Sequence, residues 1–189
     1  GEELRSMPVR ERASRRLAWL RLNVLLSMMA ASAGLMFEGT ISRVFPLVFF
    51  IPIIANISGC SGNQAVAVSI RELALGLIQP SDMLRVAAKE IAVGIINGVL
   101  LGVFIGLVAV IMNAMMWHQS AHLGVVVSLA FMLNSMIAVT LGGAVPLFLR
   151  ALKMDPALGA PPILTTLTDM FGFMLVLLLA TAAIKMGVL

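Results

Sequence analysis

Five long apolar stretches constrain this chain more than any other feature of its sequence. They cover residues 22–41, 44–70, 86–112, 124–149 and 163–184. A helix needs about 20 apolar residues to cross the hydrocarbon core of a bilayer. The chain is also 60% hydrophobic and only 12% charged, whereas soluble domains carry about 25% charged residues. The sequence therefore predicts an all-α membrane protein with five transmembrane helices per subunit.

The basic residues are distributed unevenly around these stretches. Residues 1–21 predict a cytoplasmic basic linker or amphipathic helix, with six arginines: Arg5, Arg10, Arg12, Arg15, Arg16 and Arg21. Five spans put this segment on the same side as the loops 71–89 and 150–162, and that side then holds 11 of the 13 Lys and Arg residues. Cytoplasmic loops are enriched in such residues. We expect a multi-pass protein of the inner (cell) membrane, with a cytoplasmic N-terminus and an outside C-terminus.

The net charge of +4 could suggest a nucleic-acid partner. The positive charges lie mainly at the ends of the spans, however, and topology explains this arrangement better. We predict the lipid bilayer as the partner and no nucleic acid.

Asp169 is the only charged residue inside the fifth span. An ionised carboxylate at the centre of a membrane helix costs roughly 2.5 to 3.5 kcal/mol, and Asp is too short to reach the interface. On a helix, Thr165 and Gly172 share its face. We predict a cation site in a pore, with Asp169 as the main ligand and Thr165 as a weaker contact. The alternative is a structural Asp hydrogen-bonded to neighbouring Thr.

The second span contains a polar segment at residues 59–64, with two Gly, a Ser, an Asn and a Gln. As one straight helix the span would be about 40 Å long, so we expect it to be bent, broken or protruding. Unwound backbone is tolerated at membrane depth where it is buried or lines water, and its carbonyls can then contact a cation. We predict Asn63, Gly59 and Gly62 as weaker pore-lining or hydration-shell contacts. The alternative is close helix packing.

The third span has a glycine at every fourth position over one stretch, at Gly94, Gly98, Gly102 and Gly106. These residues lie on one helix face, and small residues let neighbouring helices approach closely. We predict that this seam packs against another helix.

Patterns typical of catalysis are missing from the sequence. There is no His-Glu-x-x-His motif, no pair of buried Asp residues and no phosphate-binding Gly loop with Lys. His118 and His122 have helical spacing, but no third zinc ligand lies near them in the sequence. We predict that the protein is not an enzyme.

Three passages resemble the transmembrane domain of the MgtE magnesium channels and transporters. The first has Ile-Pro-Ile-Ile at 51–54, Gly-Asn-Gln at 62–64 and Arg-Glu-Leu-Ala-Leu-Gly at 71–76. The second has Lys-Glu at 89–90 and Val-Gly-Ile-Ile-Asn-Gly at 93–98. The third has Pro-Leu-Phe-Leu-Arg at 146–150, Asp-Pro-Ala-Leu at 155–158 and Thr-Thr-Leu-Thr-Asp at 165–169. Their order and spacing match over about residues 17–187.

The resemblance implies a homodimer with a pore on its two-fold axis, lined by the second and fifth spans. The ion-recognising Asp of the family falls on Asp169, its second-span Asn on Asn63, and its inner Asp-Pro pair on Asp155 and Pro156. Two positions depart from the family pattern. An Asn is common in the family at the position of Cys60 in the second span, and another Asn is common at the position of Pro161, just before the fifth span. Family members also usually carry cytoplasmic N and CBS sensor domains, which these 189 residues do not contain. We therefore expect either an excised pore domain or a natural member without the sensor.

Together these features predict passage of hydrated or partly hydrated Mg²⁺, or of other divalent cations, down the electrochemical gradient. Mg²⁺ holds its waters tightly and is typically bound through one or two carboxylates. Two alternatives stay open. One is an ion-coupled divalent cation secondary transporter in which Asp169 carries a proton or Na⁺, and the other is a non-transporting membrane scaffold.

Overall fold

A computed structural model describes residues 7–118 and 120–189, apart from the side chain of Ala33. The described part contains six α-helices: α1 (Val9–Met36), α2 (Glu38–Arg43), α3 (Leu47–Ala74), α4 (Met83–Met112), α5 (His122–Ala151) and α6 (Pro156–Lys185). A 3₁₀ turn, Pro80–Asp82, precedes α4, and a π-helical turn, Asn113–Trp117, follows it. The prediction of an all-helical chain is confirmed for these residues.

Four helical segments in the described residues are long and apolar enough to cross a membrane: Val9–Met36, Pro80–Trp117, His122–Ala151 and Pro156–Lys185. The predicted second span, α3, is not one of them. It has 28 residues, or about 42 Å at 1.5 Å per residue, so its length is sufficient. Its Ser, Gly, Asn and Gln residues lower its hydropathy. Four of the five predicted spans therefore overlap helical segments that could cross a membrane by length and hydropathy.

The N-terminal helix begins earlier than the predicted first span. Helix α1 is continuous from Val9 to Met36 and crosses the predicted boundary between residues 21 and 22. After Phe37, the short helix α2 covers the end of the predicted span. Most of the basic N-terminal segment is thus one helix with the apolar residues that follow it, and Arg5 lies outside the described residues.

Helix α5 is the centre of the bundle. It packs against α3, α4 and α6, while α6 also packs against α1 and α3. Large side chains of α3 and α5 are fully buried, for example Phe50 and Phe131. The α4 face away from α5 exposes large apolar residues, including Ile96, Leu100 and Phe104. An exposed apolar surface of this extent is typical of contact with lipid.

The glycine seam of α4 packs against α5, as the sequence predicted. A Cβ atom added at Gly94 would lie 2.8 Å from the Met136 Cα, and one at Gly98 would lie 3.0 Å from the Met132 carbonyl oxygen. Gly102 and Gly106 are equally close to α5. The absence of side chains lets the two helix backbones touch, which is how helices associate in lipid.

The junction between α5 and α6 is fixed by two capping structures. At the end of α5, the Lys153 N–H donates to the Arg150 carbonyl at 3.0 Å, and the Met154 N–H donates to the Leu149 carbonyl at 2.9 Å. This is a Schellman motif, with Lys153 in the left-handed region at φ 59°. Helix α6 then begins with Asp155 as its N-cap, whose carboxylate accepts from the Ala157 N–H at 2.9 Å.

Candidate functional site

Asp169 lies near the middle of α6, 13 residues after the first residue of the helix. At 1.5 Å per residue this is about 20 Å along the helix axis. The predicted span started at residue 163, so the structure places Asp169 farther from the helix end than the sequence indicated. Its side chain is half-buried. Among the described residues it has no salt bridge and no hydrogen-bonded protein partner.

Thr165 and Gly172 flank Asp169 on the same face of α6, but their surroundings differ. The Thr165 hydroxyl donates to the Pro161 carbonyl at 2.9 Å, which leaves its oxygen lone pairs able to accept from a water molecule. Gly172 is buried, and a Cβ atom there would lie 3.0 Å from Asn134 Nδ2. Thr165 is half-buried and its oxygen can still accept a hydrogen bond, whereas Gly172 serves the packing of α6 against α5.

Of the expectations for the second span, which were a bent, broken or protruding helix, the structure excludes a break: α3 is not unwound at residues 59–64. The helix is continuous from Leu47 to Ala74, so its backbone carbonyls in this segment have helical partners. Gly59 and Gly62 are buried. A Cβ atom at Gly59 would lie 3.3 Å from Thr168 Oγ1 on α6, and one at Gly62 would lie 2.7 Å from the Ala138 carbonyl oxygen on α5. The small residues allow close packing, which was the alternative interpretation.

The opposite face of α3 carries polar side chains that are not packed within the protomer. Asn56, Cys60 and Gln64 are exposed, and Asn63 is half-buried. Their spacing of three to four residues puts them on one side of the helix. The contact of Gly59 with Thr168 brings α3 alongside α6 at the residue before Asp169. The structure therefore brings the polar face of α3 and the Asp169 segment of α6 onto neighbouring helices.

A group of buried polar atoms was missed at the sequence level. Ser58 Oγ, Ser135 Oγ and both side-chain polar atoms of Asn134 are buried without a hydrogen-bond partner. Asn134 is 0% exposed and lies against Gly172 of α6. Each such group carries a desolvation cost unless a water molecule satisfies it. The available signal was an isolated Asn-Ser pair in the apolar run of α5, since polar residues inside spans are rare.

The other sequence-predicted residues occupy the ends of the helices. Asp155 and Pro156 start α6, where Asp155 acts as a helix cap. Pro161 lies within the first two turns of α6. Because proline has no N–H, the Ala157 carbonyl lacks its usual helical donor. His122 opens α5, and its Nδ1 lies 2.9 Å from the Ser120 hydroxyl. The described residues contain no group of three His, Cys, Asp or Glu side chains that could hold a metal.

Comparison with known proteins gives consistent matches. The family model for MgtE, described as a divalent cation transporter, matches residues 51–179. A magnesium transporter MgtE from Bacillus subtilis is 33% identical over 172 residues, covering 91% of this chain and 37% of that protein. Proteins of the same name from Enterococcus faecalis and Thermus thermophilus are each 31% identical, over 89% and 87% of this chain.

The chain spans only a little over one third of the length of these relatives, 37%, 36% and 35%. The matches nevertheless include α5, nearly all of α3 and α6 up to residue 179, and with them Asp169. Together with the four long apolar helices, they identify a multi-pass membrane protein. The chain belongs to the MgtE family of divalent cation transporters.

Proposed function

We propose that this chain forms a homodimeric pore, with five membrane helices per subunit, through which hydrated or partly hydrated Mg²⁺ moves down its electrochemical gradient. The relatives that match it are named magnesium transporters. The observation that carries the proposal is Asp169, a half-buried carboxylate in the middle of a long apolar helix, without a partner among the described side chains. Such a charge requires water, a cation or a second subunit beside it.

The two faces of α3 support its role as the second membrane span, in addition to the four helical segments that are long and apolar enough to cross a membrane. One face buries Ser58, Gly59 and Gly62 against α5 and α6. The other exposes Asn56, Cys60 and Gln64, and lipid cannot satisfy these polar groups. A helix with one packed face and one polar face can cross a membrane when the polar face lines water or contacts another subunit. In a pore at a two-fold axis, the polar face of α3 would contact both water and the second subunit.

Two-fold symmetry would double the negative charge of the site. In a symmetric dimer the same surface faces itself, so two Asp169 carboxylates would face each other across the pore. Their combined charge of about −2 balances one Mg²⁺, which keeps several of its waters when bound through one or two carboxylates. The Thr165 oxygen and the Asn63 side chain would accept hydrogen bonds from those waters. Gly59 and Gly62, being buried, contribute by bringing α3 close to α5 and α6.

The orientation follows from the basic residues. We propose that the N-terminus of α1 and the α5–α6 junction face the cytoplasm, because Arg and Lys are concentrated at these ends. Five spans then put the C-terminus outside. The family resemblance also implies a cytoplasmic sensor region outside these 189 residues, which would regulate the pore.

Flux into liposomes tests the proposal. The purified chain is reconstituted, and Mg²⁺ influx is followed with an internal Mg²⁺-sensitive dye. We expect Asp169→Ala to reduce influx by about tenfold or more, because the site loses both carboxylates. Asp82→Asn is the matched control, since it removes a carboxylate near the start of α4 but keeps an oxygen that can accept from the Gln79 N–H. Influx at the wild-type rate in Asp169→Ala would contradict the proposal.

The same liposomes separate the alternatives. Influx without any proton or Na⁺ gradient, together with unitary currents, would exclude obligatory ion coupling. The helices of this chain favour the pore, because α3 and α6 are continuous, while coupled transporters typically bind their ions at broken helices. Absence of flux in the wild-type chain would favour the membrane scaffold.

A further inference from the structure

A cavity of about 630 Å³ lies where α3 and α5 end and α6 begins, and the N-terminal half of α1 forms one of its walls. Pockets for small molecules commonly have volumes of about 300–1,000 Å³. The α6 residues of the lining, Pro156 to Leu158, are about 16–20 Å along the helix from Asp169 at 1.5 Å per residue, so the cavity is separate from the proposed ion site. It gathers residues from four segments that are distant in the sequence.

The wall of this cavity is basic. Arg16 of α1, Arg150 of α5 and Lys153 of the α5–α6 junction all line it, against one carboxylate, Asp155. The Asp155 carboxylate already accepts from the Ala157 N–H as the cap of α6. Three cations around one cavity attract an anion, and guanidinium groups match the oxygens of a phosphate through paired hydrogen bonds.

Lys153 occupies a backbone conformation that glycine adopts more easily. It is the residue after the α5 C-cap, in the left-handed region at φ 59°, where a side chain costs about 1–2 kcal/mol and glycine is usual. The Lys153 side chain belongs to the cavity lining. A strained residue at such a position suggests a functional reason for its side chain.

The rest of the lining is apolar, including Ile70, Leu73 and Leu158. Outside this lining, Phe148 in the last turn of α5 and Leu152, its C-cap, expose about half of their surface, 52% and 53%. A small inorganic anion would gain nothing from the apolar lining. An amphiphile with a phosphate group and acyl chains would contact the cations and the apolar surface together.

We propose that this cavity binds the phosphate headgroup of an anionic phospholipid, with Arg150 and Lys153 as its ligands and with Arg16 adding positive charge to the wall. Basic pockets between membrane helices on the cytoplasmic side are suited to such headgroups. The proposal does not depend on Mg²⁺ conduction, because the cavity and its charges are features of the folded protomer.

Lipid titration of the purified full chain in detergent tests this proposal. Native mass spectrometry measures binding of phosphatidylglycerol and, separately, of phosphatidylcholine, with inorganic phosphate as a competitor. We expect Lys153→Gly to weaken phosphatidylglycerol binding about fivefold, the equivalent of one basic residue near a membrane surface. Its melting temperature should be unchanged or higher, because glycine relieves the backbone strain. Arg150→Gln should weaken binding similarly.

Arg71→Gln is the matched control. Arg71 is an exposed cation in the last turn of α3 and is not part of the cavity lining, so phosphatidylglycerol binding should be unchanged. Three results would overturn the proposal: equal binding of the two lipids, equal weakening by Arg71→Gln and Lys153→Gly, or displacement of the lipid by millimolar phosphate. The last result would indicate a free-phosphate site. No flux is measured, so failure of the transport proposal would leave this outcome unaffected.

Discussion

Substitution of Gly142 by Ala tests the close contact between α3 and α5. Gly142 lies where α5 crosses α3, and a Cβ atom added there would lie 2.2 Å from the Gly62 carbonyl oxygen and 2.9 Å from the Gly62 carbonyl carbon. Ordinary contacts begin at 3.4 Å, so the two helices would have to separate by about 1 Å in an otherwise close-packed interior.

The expected magnitude follows from two opposing effects. Overpacking of a well-packed core typically costs about 1–3 kcal/mol. The upper part of this range applies, because the obstructing Gly62 atoms belong to the backbone and cannot rotate away. Replacing Gly by Ala inside a helix by itself stabilises the folded state by about 0.5–1 kcal/mol. We therefore expect Gly142→Ala to lower the free energy of unfolding by about 2 kcal/mol.

Thermal unfolding in detergent, followed by tryptophan fluorescence, measures this effect. A loss of about 2 kcal/mol corresponds to a melting temperature about 4–8 °C lower for a chain of this size. Gly34→Ala is the matched control, because no atom lies within 4 Å of its added Cβ, and its stability should be unchanged or slightly higher. If Gly142→Ala and Gly34→Ala melt at the same temperature, the α3–α5 contact is not as close as the structure shows.

Three further predictions address helix ends, an interhelical contact and the exposed face of α3. Asp155→Ala removes the acceptor for the Ala157 N–H and should cost about 1 kcal/mol of stability in a melting experiment, whereas Asp155→Asn should cost less. The hydroxyl oxygens of Thr40 and Thr181 are 2.7 Å apart, so a double-mutant cycle with Val at both positions should give a coupling energy of about 0.6 kcal/mol, the average for membrane proteins; additive effects would exclude this bond. Cys60 is the single cysteine of the sequence and is exposed on the polar face of α3, so a charged thiol reagent should inhibit Mg²⁺ influx in the wild-type chain and leave Cys60→Ser unaffected; an unchanged influx in the treated wild-type chain would place Cys60 away from the pore.

The sequence pattern was sufficient to predict those features of the fold that depend on a single physical requirement. The long apolar runs predicted helices because unpaired backbone groups are not tolerated in lipid. The spacing of Gly94 to Gly106 predicted a packing seam because only one face of a helix recurs at that interval. Both features depend on local periodicity, and the structure reproduces both.

Features that depend on the neighbouring helix could not be predicted in the same way. Gly59 and Gly62 are compatible with an unwound segment or with a packed helix, and only the approach of Thr168 and Ala138 decides for the helix. The left-handed backbone of Lys153 has no sequence signal, since glycine usually marks that position. Its role at the cavity appears only when α1, α3, α5 and α6 are assembled.

The surroundings of Asn134 could not be predicted from the sequence either. In the sequence Asn134 forms an isolated polar pair with Ser135 in an apolar helix, and this pattern does not identify the side chains or helices that the pair contacts. In the structure Asn134 faces α6 near Gly172, and neither of its side-chain polar atoms has a hydrogen-bond partner. The burial of an amide next to a close helix contact is a property of three-dimensional packing and not of helical spacing.

Mixed dimers test whether two Asp169 carboxylates form one site at a dimer axis. Wild-type and Asp169→Ala chains are combined in equal amounts, allowed to exchange subunits and reconstituted in liposomes at constant total protein. If conduction needs both carboxylates of a two-fold dimer, Mg²⁺ influx should fall to about one quarter of the wild-type rate. Influx of about one half would show that each subunit conducts independently, and undiminished influx would show that Asp169 is not part of the site.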